Sequence, residues 1–163
     1  MTLAGLNSLD RAGFVEAISW VFELSPWVAE EVSGGRPYPS IERLHRAMVN
    51  QVEAAPAERQ LALLRARPDL GTGARISAAS AMEQAGAGLD RLTAGEFEHL
   101  QRLNSAYREK FGFPFLFAVK GSTKYDILQA FERRLAATPE DERREALRQV
   151  YRIAEFRLRE TIE

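Results

Sequence analysis

The sequence predicts an all-α fold of about eight helices, arranged as a single domain over residues 1–163. Apolar residues recur at helical spacing through most of the chain. Capping residues and prolines separate these stretches, and no stretch keeps the two-residue alternation of a half-buried strand. The 163 residues are 45% hydrophobic and 28% charged, which suits one folded domain with an ordinary core.

The composition excludes several classes of function. The formal net charge is −1, so no basic surplus points to nucleic acid. The chain has no cysteine, which excludes disulfides, thiolate catalysis and cysteine-based zinc sites, and its two histidines argue against a histidine-rich metal site. No apolar run approaches the ~20 residues of a membrane span, and the N-terminus lacks a signal-peptide pattern, so the expected compartment is the cytoplasm.

Four helices are predicted before residue 67. Their N-terminal signals are, in chain order, Asp10, Ser25 with Pro26, Ser40 and Pro56. A Gly- and Pro-rich break at residues 34–39 separates the second helix from the third. The fourth helix covers residues 57–66 and is ended by Pro68, because the residue before a proline is pushed out of the α region.

Residues 67–89 form the most irregular stretch of the chain. Its glycines and prolines are Pro68, Gly71, Gly73, Gly86 and Gly88. A helix is predicted to resume over residues 78–85. Such a density of helix breakers between helices indicates either a binding loop held by rigid elements or a plain connector, and the local pattern does not separate the two.

Three helices are predicted after residue 89. Their N-terminal signals are Thr93 with Glu96 as a capping box, Ser122, and Thr138 with Pro139. The last helix is predicted to end near residue 162. Residues 111–119, between the first two of these helices, are apolar at nearly every position but contain a glycine and a proline. They are therefore predicted to form an extended buried segment.

Two features could carry chemistry. Glu83-Gln84 precedes a Gly-Ala-Gly turn whose backbone can approach a ligand, and a carboxyl group there could transfer a proton. The alternative is a polar helix surface. Residues 111–119 would offer backbone N–H and C=O groups to a small polar ligand, or simply fill the core. The sequence has no phosphate-loop or nucleophile-elbow motif. His45 is interpreted as a core residue and His99 as an exposed one.

Several motifs and their order resemble the 2-oxo-4-hydroxy-4-carboxy-5-ureidoimidazoline (OHCU) decarboxylases of the urate-to-allantoin pathway, nearly from end to end. The motifs are Phe-Glu-Leu-Ser-Pro-Trp (22–27), Leu-His-Arg-Ala-Met (44–48), Arg-Pro-Asp-Leu-Gly (67–71), Ser-Ala-Met-Glu-Gln-Ala-Gly-Ala-Gly-Leu (80–89) and Asn-Ser-Ala-Tyr-Arg-Glu-Lys-Phe-Gly-Phe-Pro-Phe (104–115). The last of these is the most specific.

The resemblance implies an all-α fold, no cofactor or metal, and frequent homodimers. It also implies a small, ring-shaped carboxylate as substrate, which loses CO2 to give the S enantiomer of allantoin. The substrate contacts that it implies are Pro68, Ser80, Ala81, Met82, Glu83, Gln84, the backbone of Phe115, Leu116, Phe117, Ala118 and Val119, and Arg157 of the last helix.

One position departs from the family pattern. Where the resemblance implies a catalytic histidine before Pro-Asp-Leu, this chain has Arg67. Histidine gives and takes a proton near neutral pH, whereas arginine, with a pKa above ~12, effectively does not. Arg67 could instead clamp a carboxylate or stabilise negative charge, and Glu83 or water would then supply the proton. The other interpretation of Arg67 is a cation that stabilises a helix C-terminus.

Three functions remain open on the sequence. The first is an active OHCU decarboxylase that uses Arg67 and Glu83 as catalytic residues. The second is a divergent relative that binds or acts on another small ureide or carboxylate, with weak or no decarboxylase activity. The third is a non-enzymatic interaction module, against which the retained polar motif residues argue.

Overall fold

The computed structural model describes residues 1–71 and 78–163, and most of these residues are helical. The helices in these ranges are α1 (Leu3–Ser8), α2 (Arg11–Ile18), α3 (Trp27–Val32), α4 (Ile41–Ala54), α5 (Ala57–Arg65), α6 (Ala78–Gly86), α7 (Ala94–Phe111), α8 (Lys124–Leu135) and α9 (Pro139–Thr161), with short 3-10 helices at Ser19–Phe22 and Ser33–Gly35. No strand occurs among them, so the predicted all-α fold is confirmed for the described part of the chain. None of these helices is long and apolar enough to cross a membrane.

The chain divides into two compact units. The first contains Met1–Ala66 and Val150–Glu163, and the second contains Arg67–Gln149. The division therefore falls inside α9, whose N-terminal part belongs to the second unit. All the predicted site residues except Arg157 lie in the second unit. The single domain over residues 1–163 stays a prediction.

In the first unit, capped helices pack their apolar faces together. The Ser40 side chain accepts a hydrogen bond from the backbone N–H of Arg43, which satisfies a donor that the first turn of α4 leaves open. The apolar side chains with no exposed surface are Leu6, Phe14, Ile18, Val21, Val28, Leu44, Met48, Val52, Leu64, Val150, Ala154 and Leu158. The stripe predicted for α4 contains Ile41, Leu44, His45, Met48, Val49 and Val52. Leu44, Met48 and Val52 are confirmed as core, whereas Ile41, His45 and Val49 are half-buried.

In the second unit, the long helix α7 leads into the predicted extended segment, and aromatic side chains of both pack together. The Thr93 side chain accepts from the Glu96 backbone N–H and the Glu96 side chain accepts from the Thr93 N–H, so the predicted capping box of α7 is confirmed. Gly112, with φ of 78°, ends α7 in the left-handed conformation. The buried aromatic residues of this unit are Tyr107, Phe111, Phe113, Phe115 and Phe131.

Two predicted caps are wrong. The residue before α3 is Pro26, which has no side-chain acceptor, so Ser25 does not cap this helix. Helix α8 is capped by Thr123 rather than by Ser122, because Thr123 and Asp126 form a capping box. A capping box satisfies two backbone donors at once, which a lone serine one residue earlier does not.

One short helix was not predicted from the sequence, and one predicted helix breaker lies outside the described residues. Helix α1 (Leu3–Ser8) was not predicted, since six residues are too few to show a clear helical period. The predicted breaker Gly73 lies outside the described residues.

Candidate active site

The predicted site begins at the C-terminal end of α5. Pro68 follows the last turn, and the chain continues without regular structure to Gly71. Arg67 is only 6% exposed. Because a guanidinium stays charged at any physiological pH, burying it needs compensation from groups around it. This burial is compatible with both interpretations of Arg67, a residue of the site and a cation at a helix C-terminus.

Gly71 is tied to α6 by Gln84. The Gln84 Oε1 atom accepts a hydrogen bond from the Gly71 backbone N–H at 3.0 Å. Gly71 has a φ of 74°, and a Cβ atom there would lie 2.3 Å from Cδ2 of Leu100. Both the left-handed backbone and the lack of space require glycine at this position. The side-chain oxygen of Gln84 thus holds the loop.

Helix α7 holds the same loop through two more side chains. Asn104 Nδ2 donates to the carbonyl oxygen of Leu70 at 3.0 Å, and Arg108 Nη2 pairs with Asp69 Oδ1 at 3.0 Å. Neither residue was predicted to be part of the site. Asn104 and Arg108 are four residues apart and share a face of α7, so their spacing within an already recognised motif was the available signal.

Helix α6 presents residues 80–84 unevenly. Gln84 is buried, Ser80 and Glu83 are half-buried, and Ala81 and Met82 are exposed, with 76% of Met82 accessible. The side chains of Ser80, Glu83 and Gln84 share one face of the helix, because they have the i, i+3, i+4 spacing. A ligand on this face would contact those three side chains. The predicted contacts to Ala81 and Met82 would have to be made by their backbone atoms. The contacts themselves stay a prediction.

The segment between α7 and α8 is buried and is neither helix nor strand. Its residues with less than a tenth of their surface exposed include Phe113, Phe115, Leu116, Ala118 and Val119. Side chains pair with two of its backbone groups. Arg134 Nη1 donates to the Leu116 carbonyl oxygen at 2.7 Å, and the Ala118 N–H donates to Gln149 Oε1 at 2.9 Å. The predicted ligand-binding segment is therefore held by α8 and α9.

Arg134 belongs to a buried polar cluster. Its Nε atom donates to Glu142 Oε1 at 2.7 Å, and the hydroxyl of Tyr107 donates to the same oxygen at 2.5 Å. The guanidinium also lies over the Phe115 ring, 4.4 Å from the centroid. Burial, and secondly its bond to Glu142, raise the pKa of the Tyr107 hydroxyl well above its usual value, so Tyr107 stays a neutral donor.

Arg157 lies in the C-terminal part of α9, within the first unit. It is 1% exposed. Its Nη1 atom donates to the carbonyl oxygen of Trp20 at 3.1 Å, and its Nη2 atom lies 3.6 Å from Glu23 Oε2. The next residue, Leu24, has a φ of 61° and a largely exposed side chain, so this turn places a leucine in the left-handed region. These contacts fix the orientation of the Arg157 guanidinium within its unit.

The two histidines have partners of their own. His45 Nε2 lies 2.8 Å from the carbonyl oxygen of Tyr151, which agrees with a half-buried, satisfied histidine rather than a fully buried one. His99 was predicted to be exposed but is half-buried, with 40% of its side chain accessible, and it pairs with Glu132 at 3.0 Å. Within residues 1–71 and 78–163, no group of three or more His, Cys, Asp or Glu residues could hold a metal ion.

Two polar clefts lie outside the predicted site residues. A cleft of about 490 Å3 is lined by α8 and α9 residues, namely Arg133, Arg134, Ala137, Asp141, Glu142, Arg144, Glu145 and Arg148. A second, of about 430 Å3, is lined by Arg11, Glu30, Glu31, Ser33, Gly34 and Arg36. Both are lined by charges of both signs. The first cleft is lined in part by Arg134 and Glu142, which belong to the buried polar cluster that holds residues 113–119.

The described fold and side chains define a class of protein. It is a small all-α protein in which the loop that follows a buried arginine is bonded to a glutamine on the helix that carries a half-buried glutamate, and in which a second segment of irregular backbone is buried. Residues 7–159 match the model of the OHCU decarboxylase family. The chain belongs to the OHCU decarboxylase family.

Individual relatives agree with this assignment. The chain is 48% identical to the 2-oxo-4-hydroxy-4-carboxy-5-ureidoimidazoline decarboxylase of Haloferax volcanii, over 98% of this chain and 95% of that protein. It is 44% identical to a uric acid degradation bifunctional protein of Bacillus subtilis, over 99% of this chain but only 33% of that protein. A crystal structure of (S)-allantoin synthase superposes with a TM-score of 0.83 at 33% identity, covering 99% of this chain and 54% of that one.

Proposed function

We propose that this protein decarboxylates OHCU to (S)-allantoin in urate degradation, without a cofactor. The observation that carries the proposal is the similarity to OHCU decarboxylases over nearly the whole chain, at 48% identity to the Haloferax volcanii enzyme. The substrate contacts that we propose are Pro68, residues 80–84, the backbone of residues 115–119, and Arg157. Arg67 and Glu83 are the proposed catalytic residues.

The reaction sets two demands on the site. The bond between a ring carbon and its carboxylate carbon breaks, CO2 leaves, and the bonding electron pair stays on the ring. The ring therefore needs a positive group where its negative charge grows, and then a proton delivered to one face to give a single enantiomer. A preorganised cation in a dry site meets the first demand.

Arg67 can meet the first demand but not the second. Its guanidinium stays protonated, so it stabilises anionic charge without giving up a proton. A clamp on the leaving carboxylate would hold the substrate more tightly than the transition state, because that negative charge disappears as CO2 forms. Arg67 therefore accelerates the reaction only if it faces the ring atoms that receive the electron pair. The proton would come from Glu83, which shares its helix face with Gln84, or from water.

Substitution of Arg67 separates these two placements. If the guanidinium stabilises the charge that develops on the ring, Arg67→Met lowers kcat and leaves KM nearly unchanged. If it clamps the carboxylate of the ground state, the same substitution raises KM instead. Arg67→Lys keeps the charge and serves as the matched control.

The decisive test of the activity uses the purified protein and freshly generated OHCU. Circular dichroism follows the appearance of (S)-allantoin, and the spontaneous decay of OHCU is measured in parallel. We expect a faster reaction with one enantiomer in excess. A rate equal to the spontaneous decay, from a folded protein, would refute the proposal.

A second candidate is a divergent family member that binds or acts on another small ureide or carboxylate. The specific observation in its favour is the arginine at the position where the family it resembles has a proton-donating histidine. A thermal-shift screen of hydantoins, ureides and their carboxylates distinguishes the two. Stabilisation by allantoin and by no other ureide would count against this candidate.

We further propose that the protein is a cytoplasmic homodimer, as members of the family often are homodimers. Size-exclusion chromatography with light scattering tests the oligomeric state. A mass corresponding to one 18.3 kDa chain would refute the dimer.

A further inference from the structure

The buried segment at residues 113–119 has an unusual problem of backbone pairing. It is neither helix nor strand, and it lies between α7 and α8 in the sequence. Buried N–H and C=O groups need partners, which in a sheet would come from a neighbouring strand. Here two of the partners are side chains: Arg134 for the Leu116 carbonyl oxygen and Gln149 for the Ala118 N–H.

These two bonds select one edge of the segment. In a chain that runs extended, the C=O of one residue and the N–H of the residue two positions later point to the same edge. Leu116 and Ala118 fulfil this relation. If this geometry holds for residues 116–118, their shared edge is the edge that faces α8 and α9, and the backbone groups of Phe117 belong to the opposite edge.

The side chain that holds Leu116 is itself held rigidly. Arg134 donates through Nε to Glu142 at 2.7 Å, and its Nη2 atom lies 2.5 Å from the same oxygen. Both side chains are buried, with 7% of Arg134 and 1% of Glu142 exposed. Because the guanidinium is planar and its Nε atom is bonded to a buried carboxylate, the Nη1 atom that bonds Leu116 has a defined position.

Gln149 is oriented in a similar way. Its Oε1 atom accepts from the Ala118 N–H at 2.9 Å, while its Nε2 atom donates to Glu145 Oε1 at 3.0 Å. The Ala118 N–H fixes which end of the amide faces the segment, since only the oxygen can accept from an N–H. Gln149 is 5% exposed, so water does not compete freely for either bond.

We infer that Arg134 and Gln149 are positioning residues of the active site. They pull one backbone edge of residues 115–119 against α8 and α9, and the opposite edge, with the groups of Phe117, is thereby presented to the substrate ring in a fixed orientation. This inference rests on the proposed function, in which that backbone contacts the substrate. Neither residue touches the reacting atoms, and each acts through the segment.

The first test removes the buried cluster without leaving its members unpaired. The variant Tyr107→Phe/Arg134→Met/Glu142→Leu replaces the polar cluster by apolar side chains, a change that often preserves the stability of a fold. Among the described hydrogen bonds of the cluster, only the one to the Leu116 carbonyl oxygen leaves its acceptor without a partner. We expect amide exchange in the peptide covering residues 113–119 to accelerate, and kcat to fall by about 10²-fold with little change in KM, as a misplacement of about 1 Å would cause.

Tyr107→Phe alone is the matched control. It removes a hydrogen bond to the same Glu142 oxygen but leaves the bond between Arg134 and Leu116 intact. It should lower stability without changing kcat or the exchange of residues 113–119. If the triple variant does not fold, Arg134→Lys replaces it, because lysine keeps the charge beside Glu142 but not the fork that reaches two partners.

The second test uses Gln149. Gln149→Leu removes the acceptor for the Ala118 N–H and should again lower kcat and the enantiomeric excess of the product. Gln149→Glu/Glu145→Gln exchanges the amide and the carboxylate, so an oxygen still accepts from the Ala118 N–H without two carboxylates side by side, and this variant should restore both. Glu145→Ala, which removes the other partner of Gln149 but not its bond to Ala118, is the control and should behave like the wild type.

The outcomes separate this inference from the proposed function. If the wild type does not act on OHCU, the proposed function fails, and hydrogen exchange still decides whether Arg134 and Gln149 hold the segment. Faster exchange only in the Arg134 and Gln149→Leu variants supports the inference. Exchange and kcat equal to the wild type in those folded variants would overturn it, as would equal losses of kcat in the Tyr107→Phe and Glu145→Ala controls.

Discussion

The side-chain oxygen of Gln84 and the backbone amide of Gly71 are joined by a hydrogen bond of 3.0 Å across 13 residues of sequence. The bond connects the loop that carries Arg67 to the helix that carries Glu83. The two proposed catalytic residues are therefore mounted on elements that are fastened to each other. An enzyme gains from such fastening, because catalytic geometry that is fixed before the substrate binds costs no reorganisation during the reaction.

Replacement of Gln84 should loosen this connection. Gln84→Leu keeps the volume of the side chain but leaves the Gly71 N–H without its acceptor, which should cost about 1 kcal/mol of stability. Urea denaturation measures the change. Gln84→Glu retains an acceptor oxygen and should lose less stability than Gln84→Leu. Equal stability of Gln84→Leu and the wild type would show that the bond contributes nothing.

The glycine at position 71 should be far less replaceable than the one at position 88. Both have left-handed backbones, with φ of 74° and 84°, but a Cβ atom on Gly71 would meet Leu100 at 2.3 Å, whereas none of the described atoms lies within 4 Å of one on Gly88. Gly88→Ala should cost about 1–2 kcal/mol from the backbone alone. Gly71→Ala should cost more, because it adds a steric clash.

Thermal or urea unfolding of the two alanine variants tests this difference. The double variant Gly71→Ala/Leu100→Ala removes the clash but adds a cavity, so it should recover only part of the loss. If Gly71→Ala and Gly88→Ala are destabilised equally, the contact with Leu100 does not restrict position 71.

The sequence predicted the features that depend on neighbouring residues. The capping box of Thr93 and Glu96 is confirmed, because both of its hydrogen bonds join residues three apart. The break at Pro68 follows from the sterics of one proline. Motif resemblance pointed to Glu83 and Gln84 as a site pair, although it did not indicate that Gln84 also holds the backbone of the Arg67 loop.

The contacts that hold the site depend on packing, and local patterns do not contain them. The bond from Asn104 to Leu70 spans 34 residues, and the bond from Gln149 to Ala118 spans 31. Arg134 follows Glu132 and Arg133 in a charged stretch of α8, yet it is buried and bonded to the Leu116 carbonyl oxygen. A charged residue of this kind becomes recognisable only when the tertiary structure shows which backbone groups lack partners.

Restoring a histidine at position 67 should increase decarboxylation. Histidine can supply the proton that arginine retains, and its unperturbed pKa lies near 6.5. The activity of Arg67→His should exceed that of the wild type and should fall as pH rises through the pKa of the new imidazole, since the acid form is the donor. Initial rates of (S)-allantoin formation across the neutral pH range measure both effects.

The control for this substitution is Arg67→Gln, which removes the charge without adding a proton donor. It should show neither the gain in rate nor the new pH dependence. No gain in a folded Arg67→His protein would mean that the remaining residues of this site do not suit a histidine-based reaction, and it would favour the divergent-substrate candidate.

The ion pair between Glu96 of α7 and Lys124 of α8, at 2.7 Å, should make stability depend on acid pH. The hydrogen bond from Lys124, and secondly the one from the Thr93 backbone, hold the pKa of Glu96 below its usual value of 4.5. Because the native state binds this proton less tightly than the unfolded state, the contribution of the ion pair to stability is complete above pH 4.5 and is lost as pH falls through the lowered pKa.

Glu96→Gln keeps an acceptor for the capping box but abolishes the charge. The difference in unfolding free energy between wild type and Glu96→Gln should therefore be largest at neutral pH and should shrink in acid, as urea denaturation at several pH values would show. A difference that stays constant as pH falls well below 4.5 would mean that the charge of Glu96 does not stabilise the fold.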